Sequence, residues 1–226
     1  MQLVIYILIA SSLYALMALG FSIIFTVAKF FHFAHGVIFT LCAYIVLLLF
    51  KTLKIPLSVS LVVSIVFISL LACIIKITVY NPLIKKNSST LIFLLASIGV
   101  YTVIQNMISI FWGEDTQTIQ SGLINEGIDV FNAKITPIQF GTLVTSIIII
   151  SILLYIFKKT KVGMIIRAVS NNKYLSDISG IDSQKVLLIA IIIGSAIAGI
   201  AAILVALDVN ITPSMGFNAL MIAVVI

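Results

Sequence analysis

The charged residues of this 226-residue chain fall into a few short clusters, and the stretches between them are apolar. Segments free of Asp, Glu, Lys and Arg cover residues 1–28, 30–50, 55–75, 87–113, 135–157, 186–207 and 209–226. A hydrocarbon core about 30 Å thick is crossed by roughly 20 residues of α-helix. Six of the seven segments reach that length, and the seventh runs to the last residue, Ile226. They are too long for barrel strands and lack strand alternation, whereas helices satisfy their own backbone groups in lipid. The pattern predicts spans near 2–28, 36–50, 57–76, 91–112, 138–157 and 186–207, with a seventh beginning near 217. Pro56 and Pro137 sit at span starts, where a missing N–H is tolerated. Asn81-Pro82 is expected to end the third span. Ile226 lies inside an apolar run, so the chain is expected to be cut short within a seventh span. The fold class is all-α: a polytopic transmembrane helical bundle forming a single domain over 1–226.

Composition agrees. Hydrophobic residues make up 62% of the chain and charged residues 9%, with a mean hydropathy of +1.31. Soluble domains carry about 45–50% apolar and about 25% charged residues, so a water-soluble surface is excluded. A charge at mid-bilayer costs roughly 2.5–3.5 kcal/mol, which keeps the gaps clean. Cys42 and Cys73 fall inside spans and are expected as buried thiols without a disulfide. The first apolar run lacks a basic leader and is far longer than a signal-peptide core, so it is expected to stay as a span.

The net charge of +6 reads as topology and not as nucleic-acid binding. Lys76, Lys85 and Lys86 form one basic group, and Lys158, Lys159, Lys161, Arg167, Lys173 and Lys185 another. Between them, 113–136 carries Glu114, Asp115, Glu126 and Asp129 against Lys134 alone. The positive-inside rule places the basic groups in the cytoplasm and the N-terminus outside. Ten of the 13 basic residues then lie inside, with Lys51, Lys54 and Lys134 outside.

Candidate chemistry is sparse. No G-x-x-x-x-G-K-[ST] loop is present to hold nucleotide phosphates, and no H-E-x-x-H or paired Cys/His spacing to hold a metal. No cofactor is expected. His32 and His35 are the one ligand-like pair, and a polar break between two spans accounts for them, because no carboxylate or thiol joins them. Proton- and sodium-coupled carriers place acids within the bilayer; here no Asp or Glu falls inside a predicted span, and Asp208 sits at an outer end. Transport by this chain would therefore draw its energy from another subunit. Gly194, Ala198 and Ala202, with Ser195 and Gly199, recur at four-residue spacing, which suits close helix packing or the lining of a pathway. The segment 158–185 is too long for a turn. Ile165, Ile166 and Val169, then Leu175 and Ile178, recur at helical spacing, which predicts short amphipathic helices broken near Asn171-Asn172 and stopped by Gly180. Such helices either rest on the inner leaflet or dock a soluble partner.

Several stretches resemble one family. Phe33-Ala34-His35-Gly36 is similar to an Asn-Phe-Ala-His-Gly signature, with His32 in place of Asn. Tyr80-Asn81-Pro82-Leu83 resembles an Arg-Pro-Leu turn with Asn for Arg, and Ser97-Ile98-Gly99 resembles Thr-Ile-Gly, followed by Gln105-Asn106. Gly163, Arg167-Ala168 and Gly180-Ile181 match a cytoplasmic loop in which Lys173 replaces a common Pro. Gly194 to Gly199 matches Gly-Ser-Ala-x-Ala-Gly, with Ala202 for a Gly, and Pro213-Ser214-Met215-Gly216 opens a further element. In this order and spacing they resemble the permeases of branched-chain amino acid ABC importers, of the LivH type.

The resemblance implies a transport subunit rather than an enzyme, in a bacterial inner membrane. It implies a second, paralogous permease, two cytoplasmic ABC ATPases and an extracytoplasmic substrate-binding protein. Phe33, Ala34, His35, Gly36, Ser97 and Gly99 would belong to the substrate pathway. Gly163, Ile165, Ile166, Arg167, Ala168, Val169 and Gly180 would couple the permease to the ATPases. Permeases for sugars or short amides share the general fold, and an ATP-independent channel or secondary carrier is the rival class.

Overall fold

The computed structural model describes residues 2–119, 128–130 and 133–225. Among them, six helical stretches are long and apolar enough to cross a bilayer. The first, α1, runs from Gln2 to Ala28. Next, α2 (Ala34–Leu47) continues through a π-helical turn over Leu48–Thr52. After the extended Pro56, α3 (Leu57–Ile75) passes through a second π-helical turn, Lys76–Tyr80, into α4 (Asn81–Lys85). The third span therefore does not end at Asn81-Pro82, contrary to the expectation from sequence. A proline ring clashes with the carbonyl four residues back in a regular helix. The π turn places Asn81 N–H on the Lys76 carbonyl, five residues back, and this wider turn lets the helix carry on through Pro82.

The chain reverses through Asn87, whose backbone is left-handed (φ 49°), and enters α5 (Thr90–Trp112). A short antiparallel pair, β1 (Ile128–Val130) and β2 (Ala133–Ile135), sets Asp129 opposite Lys134. Glu126, assigned to the same acidic segment, lies outside the described residues. A capping box between Thr136 and Gln139, with proline next, starts α6 (Pro137–Lys159). Then α7 (Lys161–Asn171) and α8 (Lys173–Ile178) meet at Asn172, where the sequence predicts a break. The last two helices are α9 (Ser183–Asp208) and α10 (Met215–Val225).

Packing centres on α9, which touches α1, α2, α3, α6 and α7. With it, α2 is the most buried span, whereas α5 and α6 present mostly exposed apolar surface. One end of the bundle carries Lys29, Lys85, Lys86, Lys158 and Lys159, and is called here the basic end. The other, with Glu114 and Asp115, is the acidic end.

Two connections do not stay at the surface. The segment 29–33 leaves α1 at the basic end, yet His35 beside it contacts Gly20, eight residues back along α1. At 1.5 Å per residue that is about 12 Å into the bundle. The segment 209–214 leaves α9 at the acidic end, and its Pro213 carbonyl meets Gln105, seven residues in from the end of α5. Irregular backbone at membrane depth is stable only when buried in protein. The helices that follow these two segments meet at Gly36 and Gly216.

Candidate functional site

The α2–α5–α10 junction is held by a few polar groups. Ser97 on α5 is fully buried, and its hydroxyl accepts the Phe33 N–H at 3.1 Å. The same oxygen lies 3.1 Å from the Phe31 carbonyl and 2.9 Å from that of Leu94, to which it can donate. One serine thus pairs backbone groups of the 29–33 segment that lipid could not satisfy. From the other side, His32 Nδ1 lies 2.8 Å from the Tyr80 hydroxyl, and both side chains are buried. Tyr80 ends the π turn of the third span, so that turn aims its ring at this segment.

Eight residues beyond Ser97, Gln105 donates from Nε2 to the Pro213 carbonyl at 2.7 Å. Between them Tyr101 packs against Phe33 and Phe217, with ring centroids 5.4 and 6.2 Å apart. One face of α5 therefore fastens both irregular segments through Ser97, Tyr101 and Gln105. Thr40 on α2 accepts the Gly216 N–H at 3.0 Å, and a side chain at Gly216 would overlap the Gly36 carbonyl. Gln105→Leu leaves the Pro213 carbonyl without this donor. The expected cost is about 1–3 kcal/mol, to be read as earlier thermal unfolding in detergent than for wild type or for Asn106→Leu, whose amide bonds only its own helix.

Of the residues singled out from sequence, Phe33, Ala34, Gly36 and Ser97 come together at this junction. His35 does not join them. It is fully buried and packs against α1, beside Gly20 and 6.2 Å from His32, centroid to centroid. Gly99 lies on the exposed face of α5, with nothing within 4 Å of a Cβ placed there. On α9, Gly194 meets Gly20, Gly199 meets Ile68 and Cys42, and Ala198 and Ala202 are fully buried. Cys42 is buried, Cys73 is half-buried, and both are free thiols.

At the basic end, α7 and α8 form an elbow fixed by caps. Thr160 accepts the Gly163 N–H and Asn172 the Leu175 N–H, at 3.3 and 3.0 Å. Asp177 accepts from both the backbone and hydroxyl of Ser183, tying α8 to the start of α9. Asp182 caps α9 through the Gln184 and Lys185 N–H groups, and those bonds, that from Lys185 foremost, hold its carboxyl below the ordinary carboxylate range. Gly180 turns the chain with φ 84°. Gly163 packs so close to α6 that a Cβ would lie 2.5 Å from the Ile156 and Phe157 carbonyls.

The residues singled out on α7 differ in burial. Ile166 and Val169 are 2% and 3% exposed, packed into the chain's own core, and Ile165 and Ala168 are partly covered. The outward face carries Met164, Arg167, Tyr174, Leu175 and Ile178. Apolar periodicity located the helix, but it cannot distinguish the side facing the bundle from the side facing away when both carry aliphatic residues. The clamps Tyr80, Thr40 and Gln105 stayed hidden for a different reason: each acts on a segment far away in sequence. A visible sign was small residues, Gly20, Gly36, Gly194 and Gly216, in otherwise bulky helices.

Six bilayer-length helices packed with two irregular connecting segments, and a capped helical elbow at one end, define a multi-pass membrane protein of the permease type. A family model described as the branched-chain amino acid transport system permease component matches residues 3–226, and the chain belongs to that family. It is similar to the high-affinity branched-chain amino acid transport system permease protein LivH of Escherichia coli (strain K12), with 25% identity covering 92% of this chain and 71% of that one. The corresponding permease protein BraD of Pseudomonas aeruginosa is 25% identical, over 94% of this chain and 73% of its own. A probable branched-chain amino acid transport permease protein LivH of Methanocaldococcus jannaschii is 28% identical, over 92% and 67%. No solved structure matches the chain.

Proposed function

We propose that this permease carries branched-chain, hydrophobic amino acids across a bacterial plasma membrane as part of an ATP-driven importer. The family match along residues 3–226 carries the reading. The chain has no nucleotide-binding loop, and its six spans hold a single acid, Asp208, at the very end of α9. Differential binding energy between transport states must then come from other subunits. Two cytoplasmic ATPases would supply it through the α7–α8 elbow, and an extracytoplasmic binding protein would deliver the amino acid. A second permease would cover part of the exposed span surface. Its natural place is α5, where Thr102, Asn106 and Gly99 stand exposed within a span. The N-terminus would be extracytoplasmic and the basic end cytoplasmic, in keeping with the distribution of Lys and Arg.

Reconstitution tests this. The permease and its ATPases should co-purify, and proteoliposomes should take up leucine only with ATP and binding protein. Flux through the permease alone would sink the reading in favour of a channel or carrier. Orientation is tested with single cysteines in a background lacking Cys42 and Cys73. Thr116→Cys is paired with Asn172→Cys; both positions are exposed. An impermeant reagent should reach Thr116→Cys in intact cells and Asn172→Cys only after lysis. The reverse pattern overturns the orientation.

A further inference from the structure

A cavity of about 460 Å³ opens at the basic end, between the end of α1, the turn into α5, the α7–α8 junction and the start of α9. The buried part of its lining is largely apolar, with Val27, Phe30, Val169 and Leu187. The exposed part is polar, with Lys29, Asn87, Thr90 and Lys173. No Asp or Glu lines it among the described residues. The volume lies within the roughly 300–1,000 Å³ of small-molecule sites.

The charges around the cavity leave a surplus of positive potential. The ion pair among the described residues joins Lys185 to Asp182, so neither Lys29 nor Lys173 is neutralised there. The two acids of the nearby α8–α9 turn are engaged: Asp177 by the N–H and hydroxyl of Ser183, Asp182 by the Gln184 and Lys185 N–H groups and the Lys185 ammonium. The start of α5 adds to the same wall. Ser89 gives it no side-chain cap. The Ile92 and Phe93 N–H groups turn to the Ser89 carbonyl, and those of Thr90 and Leu91 take no partner among the described residues. A helix start left in this condition favours an anion. Lys29 and Asn87 also have left-handed backbones, φ 58° and 49°. Such conformations are uncommon outside glycine, and they gather at ligand clamps.

Position and polarity select the kind of anion. Three spans reach the edge of the apolar core around this cavity: α1 ends at Ala28, α5 starts at Thr90 and α9 at Ser183. That is the level of lipid phosphate groups. Basic pockets between transmembrane helices bind the headgroups of anionic lipids. A free phosphate would leave the apolar lining wet, whereas a lipid brings its glycerol and upper acyl carbons against it. We propose that this cavity is a binding site for the phosphate group of an anionic phospholipid from the leaflet at the basic end, with Lys29 and Lys173 as its cationic wall. Lys29 follows α1 and Lys173 opens α8, so a headgroup bound there ties the elbow to the bundle. The site is independent of the solute carried.

The test uses the full chain, purified with the subunits that accompany it, and native mass spectrometry with phosphatidylglycerol added to the micelles. Lys29→Gln/Lys173→Gln should weaken phosphatidylglycerol binding about thirtyfold, the effect of two lysines near an anionic lipid surface. Lys158→Gln/Lys159→Gln removes the same charge at the same end but outside the lining, and should bind as wild type does. Phosphatidylcholine, whose choline offsets its phosphate, should bind wild type and both variants alike. Equal losses of phosphatidylglycerol in the two double variants would reduce the effect to diffuse attraction by the basic end and overturn the site. Titration with glycerol 3-phosphate separates the sources of phosphate. Its lysine-dependent binding, with phosphatidylglycerol binding unchanged by Lys29→Gln/Lys173→Gln, would put a soluble anion in the cavity and overturn the lipid. Loss of accompanying subunits from that variant, with lipid binding unchanged, would give the cavity to a protein partner and overturn it as well.

Discussion

Gly194→Leu should prevent the permease from accumulating in folded form, and Gly194→Ala should already lower its melting temperature by several degrees. The cause is the crossing of α1 over α9. A Cβ on Gly194 would lie 2.6 Å from the Gly20 carbonyl and 2.6 Å from Ile24, and a Cβ on Gly20 would lie 2.8 Å from the Gly194 carbonyl. These obstacles are largely backbone, which cannot rotate out of the way as a side-chain tip can. In lipid, no hydrophobic force pulls helices together, so close packing through small residues supplies much of their attraction. Overpacking a core costs about 1–3 kcal/mol, and a rigid glycine crossing sits at the top of that range. The penalty also spreads. His35 lies beside Gly20, and α2 packs on α9, so separating α1 from α9 loosens the support of the 29–33 segment. Gly141→Leu on α6 is the control, because nothing lies within 4 Å of a Cβ at that position. Fluorescence-detected size exclusion after heating gives the comparison. A Gly194→Ala protein that melts with wild type would show that the two helices can move apart without cost.

How much of this was legible in the sequence depends on whether a feature leaves a mark in polarity. The spans did, because charge is excluded from them, and their limits fall within a few residues of the helices observed, except that the third runs on to Lys85. The start of α6 at Pro137 and the break at Asn172 also did, since both follow from local backbone chemistry. The two irregular segments left no such mark. Residues 30–33 and 211–213 lack charge, like their flanking helices, and are largely buried in the same apolar surroundings. Only their tertiary partners distinguish them: Ser97 and Tyr80 for one, Gln105 for the other. The π turn at Lys76–Tyr80 was equally hidden, and it reverses the usual meaning of Asn81-Pro82. Asp208 was visible as a lone acid at a span end, but not its place beside a cavity of about 320 Å³, which needs α1 and α10 brought together.

The same distinction between inward and outward faces bears on the coupling role proposed for the α7–α8 elbow. Arg167→Glu and Leu175→Asp should release the ATPase subunits, or leave them hydrolysing ATP without uptake, while the permease inserts and expresses normally. Both side chains are exposed, on α7 and α8. Leu175, with Tyr174 and Ile178 beside it, forms an apolar patch at the basic end that the chain itself does not cover, 59–74% exposed. Truncating a buried anchor in such an interface commonly costs more than about 2 kcal/mol, or roughly a thirtyfold loss of affinity. Its caps fix the elbow: Thr160 at α7, Asn172 at α8, and Asp177 on Ser183 at the root of α9. A push on α8 therefore reaches α9, the helix on which the bundle is packed. Ile166→Asp should behave differently. At 2% exposure it buries a charge within the permease and lowers the yield of folded protein before any partner is involved. The experiment is ATPase retention on affinity-purified permease, together with ATP-driven uptake. If Arg167→Glu and Leu175→Asp both keep wild-type retention and uptake, the elbow rests on the lipid surface and the ATPases engage the permease elsewhere.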